Sequence, residues 1–274
     1  MATDAAMSWE EAVQRLRRDP ACSALVESCY YDDPLVAAAE RYWQSGEWRA
    51  ARSFLPASRG LALDVGAGRG ISSYAMARDG WRVTALEPDP SAVVGAGAIR
   101  SLAGETNLPI TVVETWGEKL PFAEGTFDVV HCRQALHHAR DLGQLCKEMG
   151  RVLKPGGVLI ALREHVISSR DDLAAFLAGH PLHHLYGGEH AYLLREYTKA
   201  IESAGIEITR VLNPLQSDIN LFPSTQQEVK TRWAARLKLP SAKWVPDVML
   251  FLRGATSNAP GRLYSFIGRR PRHG

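Results

Sequence analysis

An α/β fold with a doubly wound, mostly parallel sheet is what this sequence predicts, and three observations predict it. Leu61–Pro88 reads as a strand, a glycine turn, a helix, a second strand and an acid. Four further short apolar runs, Ile110–Glu114, Phe127–Cys132, Val158–Leu162 and Ile206–Leu212, are separated by helix-compatible stretches, the alternation that builds parallel sheets. The 274 residues, 46% hydrophobic and 23% charged, suit one globular α/β domain with additions.

Each part of the first unit has a physical job. Leu61–Val65 is apolar and ends in Asp64-Val65, with glycines following at 66, 68 and 70. Gly66 and Gly68 permit a sharp turn and a close backbone approach that a Cβ would block. Gly70 lets the helix Ile71–Asp79 pack tightly, and Gly80 ends that helix in a left-handed conformation. Trp81–Leu86 is the second strand, and Glu87 at its end, followed by Pro88, can accept hydrogen bonds from both hydroxyls of a ribose. This is a half-Rossmann, nucleoside-binding arrangement. Its G-x-G-x-G spacing differs from the G-x-G-x-x-G of dinucleotide sites and lacks the Lys and Ser/Thr of a phosphate loop, so the turn suits a ligand without a pyrophosphate.

Before this unit, residues 8–53 read as helical. Trp9–Arg18 is amphipathic with Ser8 as cap, and Leu35–Trp43 and Glu47–Leu55 follow, separated by Gly46. Tyr30, Tyr31, Tyr42, Trp43 and Trp48 make this segment aromatic; they either pack it on the sheet or line a pocket. After it, Ser91–Leu102 reads as a helix whose two glycines, each costing about 1 kcal/mol relative to alanine, imply close packing. Asp141–Leu153 is an amphipathic helix, Arg195–Ala204 another, and Leu263–Arg269 the last strand.

The chain resembles the class I S-adenosylmethionine-dependent methyltransferases. The likeness rests on D-V-G-A-G-R-G with an acid ending the next strand, on Leu120-Pro121-Phe122 followed by Phe127-Asp128-Val129-Val130, on Ala135-Leu136-His137-His138, and on Arg151-Val152-Leu153-Lys154-Pro155-Gly156-Gly157. These motifs stand in the family's order across roughly residues 55–165. The resemblance implies a Rossmann-like sheet of seven strands, six parallel and the last antiparallel, with helices on both faces. It divides the chain into a helical cover (1–55), a core (56–163, 195–212 and 263–271) and two cap insertions (164–194 and 213–262). It also implies S-adenosylmethionine as cofactor and S-adenosylhomocysteine as product.

Carried onto this sequence, the cofactor site comprises Asp64, Gly66, Gly68, Gly70, Glu87, Pro88, Trp116, Gly117, Glu118 and Arg133. Where the family commonly has an aspartate for the adenine amino group, this chain has Trp116, with Glu118 two residues on. Adenine is therefore held by backbone and Glu118, or by stacking on Trp116. His137 and His138 follow the fourth strand, where the methyl should lie, and read as pocket wall first.

Methyl transfer is an in-line displacement, served mainly by positioning and, for a hydroxyl nucleophile, by a base such as histidine. Five of the nine histidines fall between 165 and 190. They are loop-packing residues, or a pocket, or a metal site. In the pocket reading His165, His184, His190 and His138 are the candidate bases, with His137, Glu164, Tyr186, Glu189, Tyr42 and Trp43 around the substrate. Glu164, His165, His180, His184, Glu189 and His190 include ligand types, but their spacing matches no standard pattern and no metal ligand is assigned.

The expected acceptor is a small molecule, a hydroxyl of a secondary metabolite or sugar-containing intermediate. Rivals are an NAD-type oxidoreductase and a non-catalytic adenosyl-binding module. A net charge of +2 argues against a nucleic-acid partner, and Arg269–Arg272 reads as a solvated tail. Cys22, Cys29, Cys132 and Cys146 show no zinc spacing. Met1–Glu10 lacks an apolar leader core and no run is long enough to span a membrane, so a cytoplasmic location is expected.

Overall fold

The computed structural model describes residues 7–272; the first six residues, where the expected helical cover and the leader-free reading begin, lie outside the described residues. The strands are β1 (Leu61–Val65), β2 (Arg82–Leu86), β3 (Ile110–Val113), β4 (Phe127–Arg133), β5 (Leu153–Ile167), β6 (Tyr192–Leu193), β7 (Glu207–Leu212) and β8 (Arg262–Arg269). They form one sheet in the order β3-β2-β1-β4-β5-β8-β7, with β6 pairing β5. β8 is antiparallel to both its neighbours, while the pairs among β1 to β6 are parallel. The seven expected strands are thus present with the expected antiparallel member, and β6 is an eighth.

One face of the sheet is covered by helices Leu35–Gln44, Gly46–Ala51 and Ile71–Arg78, which bury Tyr42, Trp48, Met76 and Trp81. The other carries Leu142–Val152 and Leu194–Ser203, packed on Leu63, Val130 and Phe266. Apolar residues on both faces of the central strands are what a buried parallel sheet requires. Among the described residues no helix is long and apolar enough to cross a membrane.

Some expected boundaries move, each for a local reason. The helix expected at Ser91 starts at Ala96, because Asp89 and Ser91 side chains accept from the backbone of Ser91 and Val93 and hold a turn there. The close packing inferred from the glycines is real: a Cβ on Gly95 would lie 2.1 Å from the Asp89 carbonyl oxygen. In the stretch 213–262 a helix spans Asp247–Ala255, starting after Pro246, which has no N–H to continue a helix from before it. Arg270 is docked rather than solvated, donating to the carbonyls of Gly150, Arg151 and Leu153.

The departure that matters most is in β5, which runs past Leu162 to Ile167. Its pairing with β8 passes from Ala161↔Phe266 to Glu164↔Tyr264, so β5 holds one residue more than its partner. That extra residue accompanies Arg163 at φ 60. A bulge of this kind re-aims the side chains beyond it, and here it turns Glu164 and His165 toward the end of the sheet where the site lies.

Candidate functional site

A cavity of about 360 Å³ opens at the C-terminal ends of β1, β2, β4 and β5, the ligand side of an open α/β sheet. Its first end is the glycine turn. Gly66 and Gly68 take φ of 65° and 56°, and a Cβ on Gly66 would sit 2.8 Å from that of Ala135. The Gly66 and Ala67 N–H groups donate to the Leu86 carbonyl, tying the turn to β2. Gly70 does not line the cavity; at φ 83° it starts the helix Ile71–Arg78, with Ile99 packed where its side chain would be.

Glu87 faces this turn, accepting from the N–H of Gly68 at 2.8 Å and of Asp89 at 3.0 Å. Burial pushes its carboxyl up to about 7, against the pull of those two hydrogen bonds. In the ribose-accepting role expected of it, Glu87 binds two hydroxyls more strongly as the carboxylate, so affinity for an adenosyl ligand should rise with pH. Ionisation goes from about a tenth at pH 6 to about nine-tenths at pH 8, and roughly tenfold tighter binding of S-adenosylhomocysteine is expected over that range. Calorimetry on wild type and Glu87→Gln checks this, the variant being expected to lose the dependence.

Asp64 forms the floor. It accepts from Ser73 Oγ at 2.6 Å and lies 2.7 Å from His131 Nδ1, linking β1, the following helix and β4. At the rim, Trp116 is 49% exposed, with the Arg140 guanidinium 3.8 Å from its ring centre. Glu118 accepts from the Arg140 N–H. Gly117 leaves no room for a side chain, Leu145 standing 2.4 Å from where its Cβ would be. Pro88, Trp116, Gly117 and Glu118 all line the cavity.

Arg133 also lines it, held by a partner the sequence did not reveal. Its Nε and Nη2 donate to both oxygens of Glu47, at 2.6 and 3.1 Å, and Glu47 is 0% exposed. Burial opposes the Arg133 charge, but Glu47 outweighs it and raises the pKa. Arg163 Nη1 lies 3.8 Å from the same carboxylate, so one buried acid serves two buried guanidinium groups.

The second end of the cavity gathers His137, His138, His165, Tyr186 and Glu189. Glu164 stands behind them, wholly buried. It accepts from the N–H groups of Ala135, Leu136 and His137 and from His137 Nδ1 at 2.7 Å, thereby shaping the loop after β4. Burial works against the charge on His137, yet Glu164 and Glu189 raise it to about 9. Burial and the nearby His137 lower His165 to about 3, and the same causes lower His138, whose side chain keeps 38% exposure. The Glu189 carboxyl is held below the usual carboxylate range, its burial outweighed by His137, His138 and His180.

Four expected substrate or catalytic residues lie elsewhere. His184 is exposed and its Nε2 meets the Ala178 carbonyl. His190 packs edge-on against Tyr192. Tyr42 is fully buried between Tyr30 and Trp48, and Trp43 donates to Asp79 and packs on Arg78. The cavity takes Tyr30 and Tyr31 from the same aromatic segment instead, together with Trp9, Cys29 and His180. The amphipathic pattern of Trp9–Arg18 reads Trp9 as core, whereas only Ala12, Val13 and Leu16 of that helix are buried.

Comparison with known proteins agrees with this geometry. A family model described as "Methyltransferase domain" matches residues 63–161. Over 143 residues the chain is 34% identical to the ubiquinone biosynthesis O-methyltransferase of Xanthomonas campestris pv. campestris (strain B100), covering 46% of this chain and 57% of that protein. The chain spans about half the length of the curated relatives it matches. In fold it is similar to the [4+2]-cyclase SpnF, with a TM-score of 0.59 at 20% identity over 86% of this chain and 82% of that one. It is also similar to geranyl diphosphate C-methyltransferase from Streptomyces coelicolor A3(2), crystallised with Mg2+, geranyl-S-thiolodiphosphate and S-adenosyl-L-homocysteine. That match has a TM-score of 0.55 at 16% identity, over 85% and 75% of the two chains. Residues 63–161 thus match a methyltransferase domain, and the whole chain shares the fold of those solved structures.

Proposed function

We propose that this protein transfers the methyl group of S-adenosylmethionine to the oxygen of a small hydroxylated acceptor, of the secondary-metabolite or sugar-containing class. The C–S bond of the sulfonium breaks as the C–O bond forms, S-adenosylhomocysteine leaves, and the hydroxyl proton passes to the protein. One observation carries the reading: a single cavity joins the glycine turn and Glu87 to a cluster of imidazoles and a carboxylate. A name among the relatives, O-methyltransferase, supports oxygen as the nucleophile.

In this reading Glu87 holds the ribose, Gly66 and Gly68 admit the cofactor's chain, and Trp116 or Glu118 meets adenine. Arg133, fixed by Glu47, faces the cofactor's amino-acid end. Holding the acceptor oxygen in line with the C–S bond, at about 3 Å, supplies roughly 7–11 kcal/mol of the barrier reduction. His138 takes the proton: its Nδ1 lies 3.2 Å from the Gly188 carbonyl and donates there, which leaves the Nε2 lone pair free on the cavity side.

The test is transfer of labelled methyl from S-adenosylmethionine into a panel of hydroxylated acceptors. His138→Ala is expected to lower kcat by about 10²–10⁴ with the affinity for S-adenosylhomocysteine unchanged. Adenosyl binding without turnover on any acceptor would contradict the proposal.

A further inference from the structure

We propose that His137, His165 and Glu189 bind a divalent first-row transition metal ion at the acceptor end of the cavity. One ligand atom from each lies within 4.8 Å of the others, and all three residues are buried. They come from the loop after β4, from β5 beyond its bulge, and from the loop before β6, so no spacing in the sequence announces them.

The hydrogen bonds around the cluster select the ligand form of each side chain. His137 Nδ1 is 2.7 Å from Glu164 Oε2, and His165 Nδ1 is 2.8 Å from the Gly261 carbonyl. Both Nδ1 atoms therefore donate outward and each Nε2 is turned to the cluster; on His137 a bound ion takes the place of the Nε2 proton that faces Glu189 at 3.6 Å. An imidazole held through its far nitrogen by a carboxylate or a carbonyl is the usual support of a metal-binding histidine. Glu189 is fixed in its turn: Tyr186 Oη donates to its Oε1 at 2.9 Å, and Gly187 and Gly188, at φ 75° and 77°, carry the chain through a path other residues resist.

At the centre of the cluster the groups stand at ion-pair rather than hydrogen-bond separations. Glu189 oxygens lie 3.6 Å from His137 Nε2, 3.8 Å from His138 Nε2 and 3.9 Å from His180 Nδ1. Each separation exceeds the 2.7–3.2 Å of a hydrogen bond, and the buried His180 Nδ1 has no hydrogen-bond partner among the described residues. Ligand atoms sharing one ion through bonds of about 2.0–2.1 Å stand roughly 3–3.5 Å apart, so the 3.6 Å pair is already close to that spacing. Two imidazoles and one carboxylate suit zinc, iron, cobalt or manganese rather than magnesium or calcium, and three protein ligands leave a position open. A role for that position in holding the acceptor oxygen rests on the methyl-transfer reading; the binding of the ion does not.

The experiment uses untagged protein stripped with a chelator and then freed of it. Calorimetric titration with Zn2+ should give one ion per chain with a Kd below about 1 µM, and Mg2+ should give none. His165→Ala and Glu189→Gln should each weaken Zn2+ by about 100-fold or more, while His184→Ala and His190→Ala should not. S-adenosylhomocysteine affinity, measured on the same samples, should hold and shows that each variant is folded. Co2+ added to the stripped protein should give visible d–d absorption bands that His165→Ala removes. Absent Zn2+ binding, or binding that His184→Ala abolishes and His165→Ala does not, would overturn the site. Loss of S-adenosylhomocysteine affinity in the wild type would instead sink the methyltransferase reading.

Discussion

Glu87→Ala is expected to weaken S-adenosylhomocysteine binding by about a hundredfold or more while the protein stays folded. A hydrogen bond to a charged group contributes about 1.5–3 kcal/mol, and a ribose offers two hydroxyls to one carboxylate. Losing both costs about 3 kcal/mol or more, and each 1.4 kcal/mol is a factor of ten. Folding survives because the carboxyl is poorly placed for its own sake: burial already pushes it up to about 7. Removing it relieves a buried charge and gives up only the acceptors of the Gly68 and Asp89 N–H groups. Calorimetry for affinity and a thermal melt for folding check the two halves. An affinity unchanged in the variant would remove Glu87 from the cofactor site.

The largest effect on stability is expected at Glu47. Glu47→Gln removes the charge that neutralises Arg133 at 2.6 Å and stands 3.8 Å from Arg163, leaving two buried guanidinium groups without it. Breaking a buried ion pair from one side costs about 3–5 kcal/mol, which lowers the Tm of a chain this size by roughly 10 °C. The rings of Tyr30 and Tyr42, 5.7 and 5.6 Å from the Arg133 guanidinium, soften the loss but cannot accept its N–H groups in the way a carboxylate does. A double replacement, Glu47→Met with Arg133→Met, should recover part of the stability, because a buried pair exchanged for apolar side chains is often near neutral. It should not recover cofactor affinity, since Arg133 lines the cavity. A Tm for Glu47→Gln within about 2 °C of wild type would contradict this account of the pair.

The glycine-turn end of the cavity, proposed to take the cofactor, was legible in the sequence because its chemistry is local. Gly66, Gly68 and Glu87 lie within one strand–turn–helix–strand unit, the glycines forced by a positive φ and the acid expected from the hydroxyls of a ribose. The imidazole end is not local. His137, His165 and Glu189 are recognisable as candidates, but their meeting depends on a bulge at Arg163 and on two left-handed glycines, and apolar periodicity encodes neither. The same limit explains Tyr42 and Trp43. An aromatic-rich helical segment shows that rings are available, not which face meets the sheet, and here Tyr30 and Tyr31 turn to the cavity. Glu47 gave no signal because an acid in the first turn of a helix ordinarily reads as a solvent-facing complement to the helix dipole.

One cavity is expected to hold an adenosyl cofactor with its sulfur toward the imidazole cluster. A crystal structure of the protein with S-adenosylhomocysteine tests it most directly. The expected result places both ribose hydroxyls on Glu87 and the thioether sulfur on the His137–His138 side. A ligand bound elsewhere, or one whose sulfur points away from that cluster, would contradict the claim.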